Sequence, residues 1–173
     1  TVTLTLLSDS AYALGTATTA TLNLADSSGG MPTSKAAARF LTQATLGPAP
    51  AELTRVKNLG YSAWIEDQFL RPVNLHLPIV QTWQTELFPT TTGAMVSTEH
   101  RMEAWWRQSI RSDAASDPLR QRMAFALSQI LVVSESGVLD ENATAVTSYY
   151  DLLVENAFGN FRTLLEKLTI HYS

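Results

Sequence analysis

The sequence predicts a mainly α protein, in which a multi-helix bundle of about eight helices is preceded by a β-hairpin that belongs to a β-sandwich. Two observations predict this fold class. From residue 34 onward, apolar residues recur at helical spacing in segments that Gly or Pro separates, which is typical of short packed helices. Before residue 27, Thr alternates with apolar residues, which is typical of half-buried antiparallel strands.

The hairpin is predicted at residues 1–26, with Gly15 as the expected turn residue. One face of its two strands is apolar and is formed by Val2, Leu4, Leu6, Ala20, Leu22 and Leu24. A two-stranded hairpin is marginal alone in water. We therefore expect this apolar face to pack against a partner sheet that the sequence does not contain.

A linker is predicted at residues 27–34, because SSGGMPTS is small, rich in Gly and interrupted by one Pro. The predicted organisation is thus the last two strands of a β-sandwich repeat at 1–26, the linker, and a helical domain at 35–173. The closing residues LLEKLTIHYS keep a helical pattern without a stop signal. We accordingly expect the helical domain to be incomplete at its C-terminus.

Capping residues and helix breakers predict the helices in order. The predicted segments are 35–45, 50–60, 63–70, 78–88, 99–112, 119–134, 143–158 and 161–171. The expected N-caps include Thr33 or Ser34, Ser62, Thr98, Asp117, Asp140 or Asn142, and Asn160.

Residues 119–134 are apolar around most of the helix circumference, which predicts a buried helix at the centre of the bundle. The apolar residues are Met123, Phe125, Leu127, Ile130, Leu131, Val132 and Val133. We expect the four tryptophans to pack on or near this helix as core residues: Trp64, Trp83, Trp105 and Trp106.

Composition excludes several functions. The formal net charge of −4 gives no electrostatic basis for binding nucleic acid. No apolar run approaches the roughly 18 residues that suggest a membrane span. The absence of cysteine excludes disulfides, thiolate catalysis and cysteine zinc sites.

The first candidate site lies in EHRME, where Glu99 and Glu103 are four residues apart on one predicted helix face, beside His100. These two carboxylates are the candidate metal ligands, since paired acids on a helix can form half of a metal site. The alternative is a solvated face on which Glu103 pairs with Arg107.

The second candidate site lies in YYDLLVENAF, where Asp151 and Glu155 share a predicted helix face. Paired carboxylates can perform acid–base chemistry when burial separates their pKa values. The alternative is a polar stripe or a set of capping contacts. The candidate catalytic residues are therefore Glu99, His100, Glu103, Asp151, Glu155 and His171.

From residue 36 onward, the order of motifs resembles a large bacterial family, domain-of-unknown-function family 1800. The resemblance rests on Phe40-Leu41, Thr45-Leu46-Gly47-Pro48, Leu59-Gly60-Tyr61, Trp64, Gln68-Phe69, LRQRMAFALSQILVVS and YYDLLVENAFGNFRTLLEKLTIH. It implies an exported bacterial protein, since family members are typically exported and much longer than this chain. Many members carry a Trp-His-Asn-His-like run at positions that here read Leu127, Ser128, Gln129 and Ile130. Any chemistry of those histidines is therefore not implied for this chain.

The first 26 residues are similar to the last two strands of a Calx-beta or related immunoglobulin-like repeat, which ends in an acidic residue like Asp26. Some such repeats bind calcium at that end. Calcium takes about six to eight oxygen ligands, so this one acid does not by itself predict a site, and no other cofactor is predicted.

Two functions follow as expectations. The favoured one is a fragment of an exported multidomain surface protein with a structural, adhesion or assembly role, because the predicted central helix carries apolar or neutral residues. Its partners would be other domains of the same precursor or neighbouring chains, reached through residues 1–26 and the C-terminal helix. The alternative is part of a secreted hydrolase-like or metal-dependent enzyme whose site is completed elsewhere. Either function implies an extracellular or cell-surface location, with the periplasm as the alternative.

Overall fold

The computed structural model of the chain describes residues 2–5, 19–22, 31–87, 95–135 and 142–171, and the fold is mainly α. The chain divides into two units, residues 1–30 and 31–173. This division lies inside the predicted linker.

In the first unit, strands β1 (Val2–Thr5) and β2 (Thr19–Leu22) pair antiparallel. The register places Val2 opposite Leu22 and Leu4 opposite Ala20. Four further positions of the predicted hairpin lie outside the described residues: Leu6, Gly15, Leu24 and Asp26. The assignment of these strands to a β-sandwich stays a prediction.

The second unit contains eight helices within the described residues, as the sequence indicates. They are α1 (Ser34–Ala44), α2 (Pro50–Leu59), α3 (Tyr61–Leu70), α4 (Leu77–Leu87), α5 (Thr98–Ser109), α6 (Pro118–Ser128), α7 (Ala143–Glu155) and α8 (Phe161–Ile170). None of these helices combines the length and the apolar character that crossing a membrane requires.

Side-chain caps begin three helices where the sequence predicts them. The Thr33 hydroxyl accepts a hydrogen bond from Ala36 N at 3.2 Å and caps α1. Asn142 caps α7, and Asn160 caps α8 by accepting from the first backbone N–H groups of that helix. The alternative cap of α7, Asp140, lies outside the described residues.

Two predicted caps are wrong. Helix α3 begins at Tyr61, so Ser62 lies within its first turn and not before it. Gly60 both ends α2 and precedes α3, and its φ of +80° is a conformation that residues with a Cβ rarely adopt. The residue before α5 is Ser97 and not Thr98, and its backbone N–H donates to His100 Nδ1 at 3.1 Å.

Helix α6 ends at Ser128, six residues before the predicted end, and the prediction of a buried helix through residue 134 is wrong. The chain turns after Ser128, and the carbonyl of Leu131 accepts a hydrogen bond from the Tyr149 hydroxyl at 2.8 Å in place of a helical N–H. Ile130 and Val132 are consequently 71% and 72% exposed. The buried residues of α6 are mostly polar or small: Pro118, Arg120, Gln121 and Ala124.

Three apolar clusters form the core of the helical unit. They are Ala37, Leu41, Val56 and Trp64 between α1, α2 and α3; Val80, Val96, Ala104 and Ala143 around α4 and α5; and Ala124, Tyr149, Leu153, Val154 and Leu164 between α6, α7 and α8. Helix α6 packs against α1, α3, α5 and α7, whereas α7 packs against α4, α5, α6 and α8. The centre of the bundle is thus the α6–α7 pair and not α6 alone.

The tryptophans divide between core and surface. Trp64 is fully buried, and the partly buried Leu119 of α6 packs against its cluster. Trp105 lies 5.8 Å from the Phe125 ring of α6. Trp83 packs in the α4–α5 cluster instead, and Trp106 is 53% exposed. The prediction that all four are core residues is therefore wrong for Trp106.

The early end of α6 predicts opposite outcomes for two apolar truncations. Leu153→Ala removes a fully buried side chain and should lower the free energy of unfolding by about 2–5 kcal/mol. Ile130→Ala removes an exposed side chain and should change it by no more than about 0.5 kcal/mol. Urea unfolding followed by circular dichroism measures both, and a loss of similar size for Ile130→Ala would contradict the early helix end.

Candidate functional site

The non-helical residues 71–76, which we call the connecting segment, join α3 to α4, and the residues at its two ends, Arg71 and His76, are buried. Three carboxylates are buried among the described residues, and they belong to Glu52, Asp117 and Asp151. All three bind the connecting segment or the residue that follows it. A buried backbone needs such partners, because an unpaired polar group away from water costs about 1–3 kcal/mol.

Glu52 of α2 binds the beginning of the connecting segment. Its Oε1 accepts a hydrogen bond from Arg71 Nη2 at 2.9 Å, and its Oε2 accepts from Trp64 Nε1 at 2.6 Å. Arg71 Nη1 also donates to the Ser116 carbonyl at 2.6 Å. These charge-assisted bonds tie α2, α3 and the start of α6 to one buried guanidinium.

Asp117, directly before α6, binds the middle of the connecting segment. Its Oδ2 accepts from Asn74 N at 3.0 Å, and Gln121 Nε2 donates both to the Asn74 carbonyl at 2.9 Å and to Asp117 Oδ1 at 3.2 Å. Burial raises the pKa of the Asp117 carboxyl above its usual value, against the effect of these hydrogen bonds and of Arg120.

Asp151 of α7 binds the end of the connecting segment and caps α4 from another helix. It accepts from Leu77 N at 2.7 Å and from His76 N at 2.9 Å, and its Oδ1 lies 2.7 Å from His76 Nδ1. The His76 ring meets the Tyr150 ring edge-on, with centroids 5.1 Å apart. His76 Nε2 has no hydrogen-bond partner among the described residues.

A carboxylate that orients a histidine is the arrangement of a general base, and sequence reasoning did not include His76 among the candidates. The two residues are 75 positions apart, so no local motif joins them. One signal was present: His76 directly precedes α4 and is not a preferred N-cap residue, so the cap had to come from elsewhere in the chain. In this structure His76 is 2% exposed, and its nitrogen is closed to a substrate.

The first sequence-predicted site is not assembled. Glu103 pairs with Arg107 at 2.9 Å, which is the alternative that the spacing allowed. Glu99 is exposed, and a hydrogen bond with Ser97 lowers the pKa of its carboxyl. His100 Nδ1 interacts with Ser97. Across the described ranges no three His, Cys, Asp or Glu side chains are grouped as a metal site would require. The metal interpretation of Glu99 and Glu103 therefore gains no support from the geometry.

The two carboxylates of the second predicted pair differ in burial. Asp151 is 4% exposed, whereas Glu155, one helical turn later, is exposed to solvent. His171 follows α8, and its Nε2 lies 3.0 Å from Ser148 Oγ. Of the six candidate catalytic residues, only Asp151 lies in the buried polar network.

An open cleft of about 540 Å³, which we call the aromatic cleft, lies between α5, α6, α7 and the residues after α6. Its aromatic lining consists of Trp105, Trp106, Phe125, Tyr149 and Tyr150. Arg101 and Glu135 form an ion pair in the same cleft. Trp105 Nε1 donates to the Tyr150 hydroxyl at 2.9 Å, and burial raises the pKa of Tyr150 to about 12.

These features define an α-helical domain whose helices are joined by hydrogen bonds to buried carboxylates. The chain belongs to the family described as "Protein of unknown function (DUF1800)", which matches residues 39–173. This match confirms the resemblance seen in the sequence. Comparison with curated proteins and with solved structures found no match. The likeness of the first 26 residues to a Calx-beta repeat lies outside the matched range and stays a prediction.

Because Asp151 joins α7 to the start of α4 through hydrogen bonds, its removal should lower the stability of the protein strongly. Asp151→Ala leaves the buried N–H group of His76 and the partly buried N–H group of Leu77 without an acceptor and should lower the free energy of unfolding by about 3 kcal/mol. Glu155→Ala, on the same helix but exposed, is the matched control and should change it by at most about 0.5 kcal/mol. Chemical denaturation of both variants measures the difference, and equal small losses would show that Asp151 does not hold the segment.

Proposed function

We propose that this chain belongs to an exported multidomain bacterial surface protein, in which it has a structural, adhesion or assembly role. The observation that carries the proposal is how the three buried carboxylates are hydrogen-bonded. Glu52, Asp117 and Asp151 each join elements that are distant in sequence, and each is engaged by N–H donors. Carboxylates that are held in this way stabilise a scaffold, whereas acid–base catalysis needs a titrating group that a substrate can reach.

Two surfaces support the assembly role. Within the described residues, the strands β1 and β2 form a two-stranded ribbon, and such a ribbon needs further strands or a packing partner to be stable. On α8, Phe161 and Leu165 are one turn apart and both exposed. We infer that the hairpin adds to a sheet of a neighbouring chain or domain, as strands do in β-augmentation, and that α8 supplies a second contact.

Strand addition predicts that the mass of the protein depends on residues 1–26. The full chain should associate as its concentration rises, and a chain that begins at Ser27 should remain a monomer. Thr3→Pro is a sharper variant, because Pro removes a backbone donor from the strand that pairs with β2. Light scattering after gel filtration measures the masses, and circular dichroism confirms that the helices are retained. If both variants had the same oligomeric state as the full chain, strand addition between copies of this chain would be ruled out.

One observation favours an enzymatic function as the second candidate. The His76–Asp151 pair orients an imidazole with one unpartnered nitrogen, so a rearrangement that opened it would expose a general base. Such a site would be completed by parts of a longer protein, as in a secreted hydrolase-like or metal-dependent enzyme. Elemental analysis of the purified protein tests the metal-dependent form, and a metal content near zero would remove it.

A further inference from the structure

The aromatic cleft has the dimensions and lining of a small-molecule site. Its volume of about 540 Å³ lies within the range of roughly 300–1,000 Å³ that is usual for such sites. Trp105 and Trp106 meet edge-to-face, with ring centroids 5.0 Å apart, and Trp106 keeps half of its surface open to solvent. A planar ring bound here gains aromatic contacts, and because it has few rotatable bonds it loses little conformational entropy.

Arg101 is the cationic side chain in the lining of the cleft. Arg101 is largely buried, with 14% of its side chain exposed, and its Nη2 donates to Glu135 Oε1. Its Nε has no hydrogen-bond partner among the described residues. Since a guanidinium can bind a carboxylate through two parallel N–H groups, the Arg101–Glu135 pair leaves part of this capacity unused.

Tyr150 is a second donor in the lining of the cleft. Its hydroxyl oxygen accepts from Trp105 Nε1, and within the described residues no acceptor is found for its own O–H. Burial raises the pKa of Tyr150 to about 12, so the hydroxyl keeps its proton at neutral pH and can donate a hydrogen bond to an anion. Arg101 and Tyr150 both line the aromatic cleft, so the two donors belong to one site.

Glu135 marks where an anionic group binds. It lies on the non-helical residues after α6, and one third of its side chain is exposed, so it can leave Arg101 without unfolding a helix. We propose that the aromatic cleft binds an aromatic carboxylate, whose carboxylate replaces that of Glu135 on Arg101 and whose ring packs among the tryptophans and tyrosines. This exchange is non-covalent, and it goes beyond the assembly role, on which it does not depend.

Isothermal titration of the full chain with 2-naphthoate tests the proposal, with 2-naphthamide as the neutral probe of the same shape. The naphthoate should bind about tenfold more tightly than the amide, as expected for hydrogen bonds to a charged group. Glu135→Gln removes the internal competitor and should tighten naphthoate binding by about threefold or more. Arg101→Gln should weaken it by about tenfold and abolish the preference over the amide.

The controls lie on α8, where Arg162 and Glu166 form an exposed ion pair outside the cleft. Arg162→Gln and Glu166→Gln should leave both affinities unchanged. Tyr150→Phe, a variant inside the cleft, keeps the aromatic ring but removes the hydroxyl donor, and it should weaken naphthoate binding. If Arg101→Gln fails to fold, the tighter naphthoate binding expected of Glu135→Gln still tests the proposal. Equal binding of acid and amide, or no binding of naphthoate to the native chain and to Glu135→Gln, would overturn the proposal. None of these outcomes bears on the masses that test assembly.

Discussion

The fold depends on how the connecting segment is held against the helices. A non-helical backbone inside a protein has N–H and C=O groups that no neighbouring turn satisfies. Here the donors of Asn74, His76 and Leu77 go to the carboxylates of Asp117 and Asp151. The carbonyls of Asn74 and Leu75 accept from the amides of Gln121 and Gln108. The segment is thus held by α5, α6, α7 and the residue before α6.

This arrangement joins apolar clusters that are individually small. Glu52 and Arg71 connect the α1–α3 cluster to the start of α6, and Asp151 connects α7 to the beginning of α4. Buried charges are costly unless they are paired and hydrogen-bonded. Each of the three carboxylates therefore stabilises the bundle only while its donors stay in place, which makes the network cooperative.

The helices could be predicted from local chemistry, whereas the sites could not. Asn160 identifies the start of α8 and Gly60 the end of α2, because side-chain caps and positive φ angles are properties of single residues. The end of α6 was missed, since the apolar run continues to Val133 and no breaker marks Ser128.

The long-range pairs give no signal in one sequence. Asp151 meets His76 across 75 positions, and Arg101 meets Glu135 across 34. The sequence-predicted pairs of acids were chosen because they share a helix face, but burial separates Asp151 from Glu155 and Arg107 engages Glu103. Spacing along one helix can show which side chains are neighbours, but only tertiary packing decides which of them are buried.

Native-state hydrogen exchange of the Asn74, His76 and Leu77 amides tests the central claim most directly. If buried carboxylates hold the connecting segment, these amides should exchange as slowly as those inside α7, because they are released only when the bundle opens. Exchange as fast as that of Ser112, an exposed residue of the non-helical chain between α5 and α6, would contradict the account.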